Sequence, residues 1–364
     1  MELMNHLIIT LPMIICLGWA VFFLIRCATR NGEMRVSGIL FLFYTITTIL
    51  YADHWLYFSG IATYAGEWSY RVVNLCVYPV YYAYLRALTR ESKSLEVSFL
   101  LLPALAMAVL FPFAKHSEEG LIWEGANLFA RICFAAQVAW VWYRGYGLLN
   151  RTIQRMDDTY SDDRSHLLRP THILLQLFGI TAAVSMVLNI IGREPFADDL
   201  SVTLPAIVMT VLLYCLGYVA AHTTLPQETV TEDTAATEEP VQKEDSIALM
   251  QKIDRLMREQ RLYTNPHLTI QDLAAAANSN RTYISNAINR TYGISFSQYV
   301  TRQRIAYAKM VLTDPRYQTD KSAVADAITL SGFASDTTFY RVFKDATGET
   351  PLQYRHNNLA KASS

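Results

Sequence analysis

Residues 270–293, IQDLAAAANSNRTYISNAINRTYG, and residues 325–348, ADAITLSGFASDTTFYRVFKDATG, repeat one pattern at an offset of 55 residues. Each copy has a short apolar stretch, a turn, and a second stretch that ends in Gly. The apolar positions keep their register, so that Leu273 corresponds to Ile328. A short helix, a turn and an amphipathic helix closed by Gly are typical of a helix-turn-helix. The repeat therefore predicts two helix-turn-helix units.

The second helix of each unit is predicted to have an apolar face and a polar face. The apolar positions follow helical spacing: Ile284, Ala287, Ile288 and Thr291 in the first unit, and Phe339, Val342, Phe343 and Ala346 in the second. The polar positions hold side chains that hydrogen-bond base edges and phosphates, and a helix fits the major groove of DNA. The candidate base-reading residues are Thr282, Ser285, Asn286, Asn289, Thr337 and Tyr340. The candidate phosphate or guanine contacts are Arg281, Arg290, Arg341, Lys344 and, on the connecting helix, Arg302.

A predicted helix from Phe296 to Leu312 connects the two units. At ~1.5 Å per residue, its roughly 17 residues would span about 25 Å. Such a spacer could set two recognition helices into successive major grooves, which lie ~34 Å apart. The alternative is a five- to seven-helix bundle whose polar surface does not bind DNA.

The same region resembles the AraC/XylS-type DNA-binding domain. The resemblance to the end of that domain is carried by Gly332-Phe333, Phe339, Arg341 to Lys344, Gly348, Thr350-Pro351 and Tyr354-Arg355. Gly293 to Tyr299, Arg304-Ile305 and Ala308 resemble its middle. The match covers about 100 of the 364 residues. It implies a helical domain that binds DNA in a bacterial transcription regulator, without a metal, cofactor or catalytic residue.

Two places depart from the family pattern. Asn278 to Arg281 stands at the first turn, where the family commonly has an apolar residue followed by Ser. Ala287 to Arg290 stands where a Phe-Lys-type pair is more usual. In that family the first recognition helix often contributes most of the base reading. The departures therefore leave the operator sequence undetermined, but they do not threaten the fold.

The rest of the chain is unusually apolar. Of the whole sequence, 52% is hydrophobic and only 17% is charged, which is too apolar for an ordinary soluble protein. Seven segments of about 20 residues each have the length needed to cross ~30 Å of hydrocarbon. They are Leu3–Ile25, Val36–Phe58, Tyr70–Leu88, Leu95–Ala114, Leu121–Tyr143, Pro170–Ile191 and Val202–Ala221. The predicted fold class is therefore all-α: a polytopic seven-helix membrane domain followed by a tandem helix-turn-helix domain.

Basic residues between the predicted spans indicate the orientation in the membrane. The first, third and fifth breaks contain most of them: Arg26, Arg30, Arg35, Arg86, Arg90, Lys93, Arg144, Arg151, Arg155, Arg164 and Arg169. The other breaks contain only Lys115 and Arg193, with Arg71 just inside the third span. This asymmetry predicts an inner-membrane protein with its N-terminus outside and its C-terminal domain in the cytoplasm, where the DNA is.

Polar residues inside the predicted spans suggest a ligand site, because burying them in lipid is costly. They lie in the outer half of the spans: Asp53, His54, Arg71, Asn74, Glu124, Asn127 and Arg131, with Asn189 at the end of the sixth span. One interpretation is an outward-facing pocket with Trp55, Trp68 and Trp123 at its rim. The alternative is that these residues pair with each other, for example Arg131 with Asp53, and that the Trp residues form an ordinary interfacial belt.

The composition changes after residue 221. Residues 222–245 contain seven acidic residues against one Lys and are predicted to be a disordered linker. Ser246 is predicted to cap a helix, and residues 246–364 contain 15 Lys or Arg against 9 Asp or Glu. The resulting net charge of +6 is consistent with a surface that binds phosphates. The predicted domains are thus residues 1–221, 222–245 and 246–364.

Together these patterns predict a membrane-bound one-component transcription regulator. Its expected partners are double-stranded DNA, the lipid bilayer, a small-molecule or envelope signal, and a second copy of itself. One alternative is a transporter or intramembrane enzyme with a regulatory DNA-binding tail. Another is a plain membrane anchor from which proteolysis releases the tail. The five cysteines have no paired or metal-ligand spacing.

Overall fold

The computed structural model describes residues 2–29, 34–59, 61, 64–91, 95–115, 121–162, 167–191, 200–223, 243–317 and 319–362. These residues form fourteen α-helices and one short 3-10 turn. The β-pairing among the described residues is one isolated antiparallel bridge between Tyr160 and Thr269. The chain divides into two compact units. One holds residues 1–151 and 167–226, and the other holds residues 152–166 and 227–364.

The first unit is built from seven long helices. They are α1 (Glu2–Thr29), α2 (Met34–Phe58), α3 (Tyr64–Leu88), α4 (Glu96–Lys115), α5 (Leu121–Thr159), α6 (Arg169–Ile191) and α7 (Leu200–His222). The last eight residues of α5 belong to the second unit. Polar side chains join neighbouring helices. The Tyr44 hydroxyl donates to the carbonyl oxygen of Leu213 at 2.8 Å, and the Trp68 indole donates to that of Met107 at 2.8 Å.

Three stretches of the described residues are long and apolar enough to cross a membrane: Leu7–Thr29, Met34–Leu56 and Thr203–His222. The other four predicted spans also fall on helices, α3 to α6. Two of these are less apolar, because α3 contains six tyrosines together with Arg71 and Arg86, and α5 extends far into polar sequence. The seven-helix order is thus present, while the crossing of all seven stays a prediction.

One carboxylate of the first unit joins three helices. Glu96, at the start of α4, accepts hydrogen bonds from Arg86 at 3.0 Å and from Tyr82 at 2.7 Å, and it also pairs with Arg144 of α5. Arg86 and Arg144 are two of the cations that indicate a cytoplasmic side. The ion pairs with Glu96 therefore partly neutralise the positive charge at the end of the helices that is predicted to face the cytoplasm.

The second unit contains seven helices and the 3-10 turn Leu262–Thr264. The helices are α8 (Lys243–Glu259), α9 (Ile270–Ala277), α10 (Arg281–Tyr292), α11 (Phe296–Leu312), α12 (Asp320–Leu330), α13 (Asp336–Thr347) and α14 (Pro351–Ala362). The predicted connecting helix Phe296–Leu312 is confirmed. Ser246 lies inside α8 instead of capping it, since the helix begins at Lys243.

Local sequence fixes the ends of these helices. Thr269 caps α9 in a capping box with Asp272, and α9 ends at Asn278, which has a φ of +49°. Ser295 and Gln298 form the same reciprocal cap at the start of α11. Gly293 and Gly348 end α10 and α13 with φ values of +68° and +79°. Both closing glycines thus have the left-handed conformation that ends a helix.

Two hydrophobic cores hold the second unit together. The first packs α8, α9, α10 and the start of α11 around Ile253, Leu273, Ile284 and Ile288. The second packs the end of α11 with α12, α13 and α14 around residues that include Ile305, Leu312, Phe339 and Phe343. The helix α11 contributes to both cores and so connects the two helix-turn-helix units.

Candidate DNA-binding surface

The helix α10 is the second helix of the first helix-turn-helix. Asn280 caps it by accepting a hydrogen bond from the amide of Tyr283 at 2.9 Å. The positions predicted to be apolar are buried at Ile284, Ala287 and Ile288, but Thr291 is exposed. The predicted contact residues lie on the other side of the helix. Thr282, Asn286, Asn289 and Arg290 are exposed, and Arg281 and Ser285 are half-buried.

The helix α13 has the same arrangement in the second unit. Ser335 caps it, Phe339 and Phe343 are fully buried, and Val342 is half-buried. Ala346 is exposed, as its counterpart Thr291 is, because the last turn of each helix extends past its core. The predicted contact residues Thr337, Tyr340 and Lys344 are exposed, and Arg341 is half-buried. Arg302 on α11 is also exposed.

Arg304, on α11, is a buried cation that organises the second unit. Its side chain donates to the carbonyl oxygens of Tyr263 at 2.8 Å and Asn265 at 2.7 Å. It also donates to the carbonyl oxygen of Ser161 at 3.1 Å and to the Ser161 hydroxyl at 2.9 Å. Burial lowers the pKa of Arg304 to about 10, so the guanidinium stays charged at neutral pH. The sequence marks Arg304 only as part of the family pattern and does not reveal this role.

Asp254 of α8 holds the C-terminal end of α10. It accepts hydrogen bonds from the hydroxyl groups of Tyr299 at 2.7 Å and Tyr292 at 3.0 Å. The rings of these two tyrosines stack with their centroids 5.8 Å apart. Burial and the neighbouring carboxylate raise the pKa of both tyrosines. Together these contacts fix α10 to α8 and α11.

The residue that begins α10 has an unexpected partner. The Arg281 guanidinium donates to the hydroxyl of Thr159 at 2.8 Å, across 122 residues of sequence. Thr159 ends α5 and is buried. The backbone amide of Ser161 donates to the carbonyl oxygen of Leu268 at 3.1 Å. Sequence reasoning has no signal for these contacts, because residues 157–163 have the composition of a solvated loop.

The residues predicted to bind a ligand are distributed over several sites in the first unit. The Arg71 guanidinium donates to the side-chain oxygen of Asn127. Glu124 and Arg131 are exposed on α5, and Asp53 is half-buried on α2. Trp68 is buried and Trp55 is half-buried. The side chains of Asn189 and Trp123 lie outside the described residues.

His54 and Asn74 line a cavity of about 430 Å³ in the first unit. Aromatic and hydroxyl side chains supply much of the remaining wall, among them Thr47, Tyr51, Tyr70 and Tyr78. The described residues of the lining include no Asp, Glu, Lys or Arg. Ile180, Val184 and Leu204 line the cavity and are also exposed on the surface of α6 and α7. Such a lining suits an uncharged, mostly apolar molecule that forms a few hydrogen bonds.

Residues 273–357 match the family model described as a helix-turn-helix domain. The melibiose operon regulatory protein of Escherichia coli strain K12 is 36% identical over 88 residues, which are 24% of this chain and 28% of that protein. An uncharacterized HTH-type transcriptional regulator of Staphylococcus aureus is 28% identical over 109 residues, which are 30% of this chain and 14% of that protein. The chain thus spans less than a third of the length of each of these relatives. No solved structure matches the chain.

The family match and the geometry concern the same residues. The matched range begins at the buried Leu273 of α9 and ends within α14, so it contains both recognition helices and the helix that connects them. Of the two relatives, one is named as an operon regulatory protein and the other as a transcriptional regulator. The C-terminal part of this chain is therefore a helix-turn-helix domain of the AraC type.

Proposed function

We propose that the protein is a membrane-bound one-component transcription regulator that binds specific double-stranded DNA through both helix-turn-helix units. The observation that carries the proposal is the shared design of α10 and α13. Each helix buries an apolar face in its own core, is capped at both ends, and presents an opposite face of amide, hydroxyl and basic side chains. This is how a recognition helix is held against a major groove.

The exposed and half-buried side chains of these two faces divide into two roles by their chemistry. Thr282, Ser285 and Asn286 of α10, with Asn289, can hydrogen-bond base edges, and so can Thr337 and Tyr340 of α13. Arg281 and Arg290, and Arg341 and Lys344, can bind phosphates or guanine. The two helices differ in composition, which supports a larger share of base reading for α10 and of phosphate binding for α13. The face of α10 is rich in amides, whereas that of α13 is richer in basic and aromatic groups.

The first unit is proposed to hold the protein in the inner membrane. Three described stretches are apolar enough to cross it, and α3 to α6 supply the other four proposed crossings. In this proposal, which the distribution of basic residues supports, the N-terminus lies outside and the helix-turn-helix domain lies in the cytoplasm. A second copy in the same membrane would raise the effective concentration of one domain near the other on DNA.

The signal is proposed to act on the first unit. The cavity lined by His54 and Asn74 supports this part of the proposal, because it offers hydrogen-bonding groups within mostly apolar walls. A bound molecule would alter the packing of the helices around the cavity and thereby change DNA occupancy. Replacing His54 and Asn74 by Ala should abolish the response to the inducing condition while leaving expression and membrane location unchanged. An intact response in that variant would favour the plain-anchor alternative.

Genome-wide crosslinking of the full-length protein to DNA tests the proposed function directly. The variant Arg341→Ala/Lys344→Ala removes two positive charges from the proposed DNA-binding surface. A matched control, Arg316→Ala/Lys321→Ala, removes two positive charges from exposed positions outside α10 and α13. Discrete peaks should be lost in the first variant and kept in the control. Equal peak patterns in both variants would refute the assignment of α13. A wild-type protein without peaks both in the presence and in the absence of the inducing condition would refute specific DNA binding.

A further inference from the structure

Residues 152–162, here called the docked segment, belong to the same compact unit as the DNA-binding domain. They comprise the end of α5 and the three residues that follow it. Met156, Thr159 and Ser161 are buried, at 5%, 6% and 1% exposure. The segment is therefore packed against the domain like one of its own elements, although 80 residues of sequence, 163–242, separate it from α8.

Backbone pairing places the docked segment beside the first helix-turn-helix. Tyr160 forms an antiparallel bridge with Thr269, the residue that caps α9. The Ser161 amide donates to Leu268 one residue earlier, at 3.1 Å. Arg304 then binds both the carbonyl oxygen and the hydroxyl of Ser161. The segment thus supplies two of the four acceptors of a buried cation, and the domain itself supplies the other two.

The docked segment also binds the first residue of the recognition helix. The Arg281 guanidinium donates to Thr159 at 2.8 Å. Phosphates bind well at helix N-termini, and Arg281 is positioned there to reinforce such a contact. While it is bonded to Thr159, the guanidinium points toward the segment.

The docked segment carries a net negative charge, which would repel DNA from the region of Arg281. The segment contains Asp157, Asp158 and Asp162 against a single Arg155. Burial raises the pKa of Asp158, and the nearby Arg281 opposes that rise. An ionised Asp158 close to Arg281 repels the phosphates that Arg281 would otherwise attract.

We propose that the docked segment is an intramolecular partner of the first helix-turn-helix and competes with DNA for Arg281. The inference rests on the proposed function and adds a regulatory mechanism to it. DNA is excluded from α10 while the segment is docked, and the surface opens when the segment leaves. The segment is the end of α5, the rest of which belongs to the proposed membrane unit, so a signal received there has a continuous helix along which to reach the DNA-binding surface.

A disulfide lock tests whether the docked segment excludes DNA. Residues opposite each other in an antiparallel pair have Cα atoms roughly 4.5–5.5 Å apart, within the range that a disulfide spans. The variant Tyr160→Cys/Thr269→Cys, prepared as the full chain in lipid nanodiscs, should crosslink when oxidised. Its affinity is measured for a 40-base-pair genomic duplex that the wild-type protein binds. The single variants Tyr160→Cys and Thr269→Cys, oxidised in parallel, control for the five native cysteines and for the lost cap.

The oxidised double variant should bind this duplex at least tenfold more weakly than the reduced form, and reductant should restore binding. Equal affinity of the two forms, with the disulfide confirmed by mass spectrometry, would overturn the proposal. That outcome is distinct from failure of the proposed function, in which the wild-type protein itself binds no duplex.

A second variant tests the contact with Arg281 without a crosslink. Thr159→Val keeps the shape of the side chain but removes the hydroxyl, and it should tighten DNA binding about tenfold to a hundredfold, as expected for one hydrogen bond to a charged group. Thr329→Val removes the hydroxyl of an exposed threonine on α12, far from Arg281 in sequence, and should leave affinity unchanged. If Thr159→Val instead weakens binding as Arg281→Ala does, Thr159 positions Arg281 for DNA and the competition is refuted.

Discussion

Gly332 lies directly against the backbone of Tyr263: a Cβ at Gly332 would be 2.5 Å from the Tyr263 carbonyl oxygen and 2.6 Å from that of Thr264. Gly332 also has a φ of +81°. Its position lets the turn of the second helix-turn-helix contact the 3-10 turn that carries an acceptor for Arg304. Because both obstructing atoms belong to the backbone, no side-chain rotation can make room for a larger residue.

In the variant Gly332→Ala, the second unit should therefore unfold locally at a lower cost in free energy. A positive φ and overpacking together predict a loss of about 2–5 kcal/mol in its opening free energy. Hydrogen exchange of peptides from α11 to α13 in the full chain measures that quantity. Gly293→Ala and Gly348→Ala are matched controls, since both glycines have positive φ but no atom within 4 Å of the added Cβ. They should lose only about 1–2 kcal/mol. Equal losses in all three variants would show that the close approach is unimportant.

The helix-turn-helix units could be predicted from sequence because their signals are local. Apolar residues at helical spacing identify the cores, and Gly293 and Gly348 mark the helix ends. The exposure of Thr291 and Ala346 could not be predicted, because periodicity continues past the point where the core ends. Arg304 was equally hidden, since three of its four acceptors are backbone carbonyl oxygens whose positions depend on the folded chain.

In the first unit, too, the features set by local sequence could be predicted and those set by distant contacts could not. Apolar length predicted the positions of all seven helices, which the structure contains. The direction in which each polar side chain points depends on packing between helices. Hence Arg71 forms a hydrogen bond with Asn127, and Arg131 is exposed. Of the predicted ligand residues, only His54 and Asn74 line the cavity. The contact between Thr159 and Arg281 lies beyond any local pattern.

Alkaline pH should weaken the second unit through Tyr299 and Tyr292. Their pKa values are raised in the folded protein, so the unfolded chain loses these protons first as the pH rises past about 10. The contribution of these two tyrosines to the free energy of unfolding is therefore fully present below about pH 10, and it falls as the pH rises toward their pKa values in the folded protein. Tyr299→Phe should cost about 1 kcal/mol at pH 8 through the lost hydrogen bond and should decline less steeply above pH 10.

Pulse proteolysis of the full chain with subtilisin between pH 8 and 11 measures this dependence. Tyr283→Phe, on the same pair of helices, leaves the bonds to Asp254 intact and should follow the wild-type curve. If the unfolding free energy of Tyr299→Phe falls in parallel with that of the wild type above pH 10, ionisation of Tyr299 does not contribute to the loss of stability between pH 8 and 11.

Lys344 should contact a phosphate and not a base. Lys344→Ala is then expected to weaken binding by a similar factor on every DNA sequence and to lower the magnitude of the salt slope, d log K/d log[salt], by about 1. Affinity is measured on one duplex between 50 and 200 mM salt. Lys321→Ala, which removes an exposed cation from α12, should leave the slope unchanged. An unaltered slope in Lys344→Ala would exclude the phosphate contact.

Asn286 should read a base, since its amide is exposed near the middle of α10. An Asn side chain forms a bidentate pair with adenine in the major groove, worth about 1–3 kcal/mol of discrimination against other bases. Asn286→Ala should therefore flatten the sequence preference at one position of the site and leave the other positions unchanged. Selection from a randomised duplex library by the wild-type and variant proteins measures the preference at each position. Gln271→Ala, an exposed amide on the first helix of the same unit, should keep the wild-type preference. A uniform loss of affinity at all positions would instead assign Asn286 to the DNA backbone, and base reading would then have to come from Asn289 or from α13.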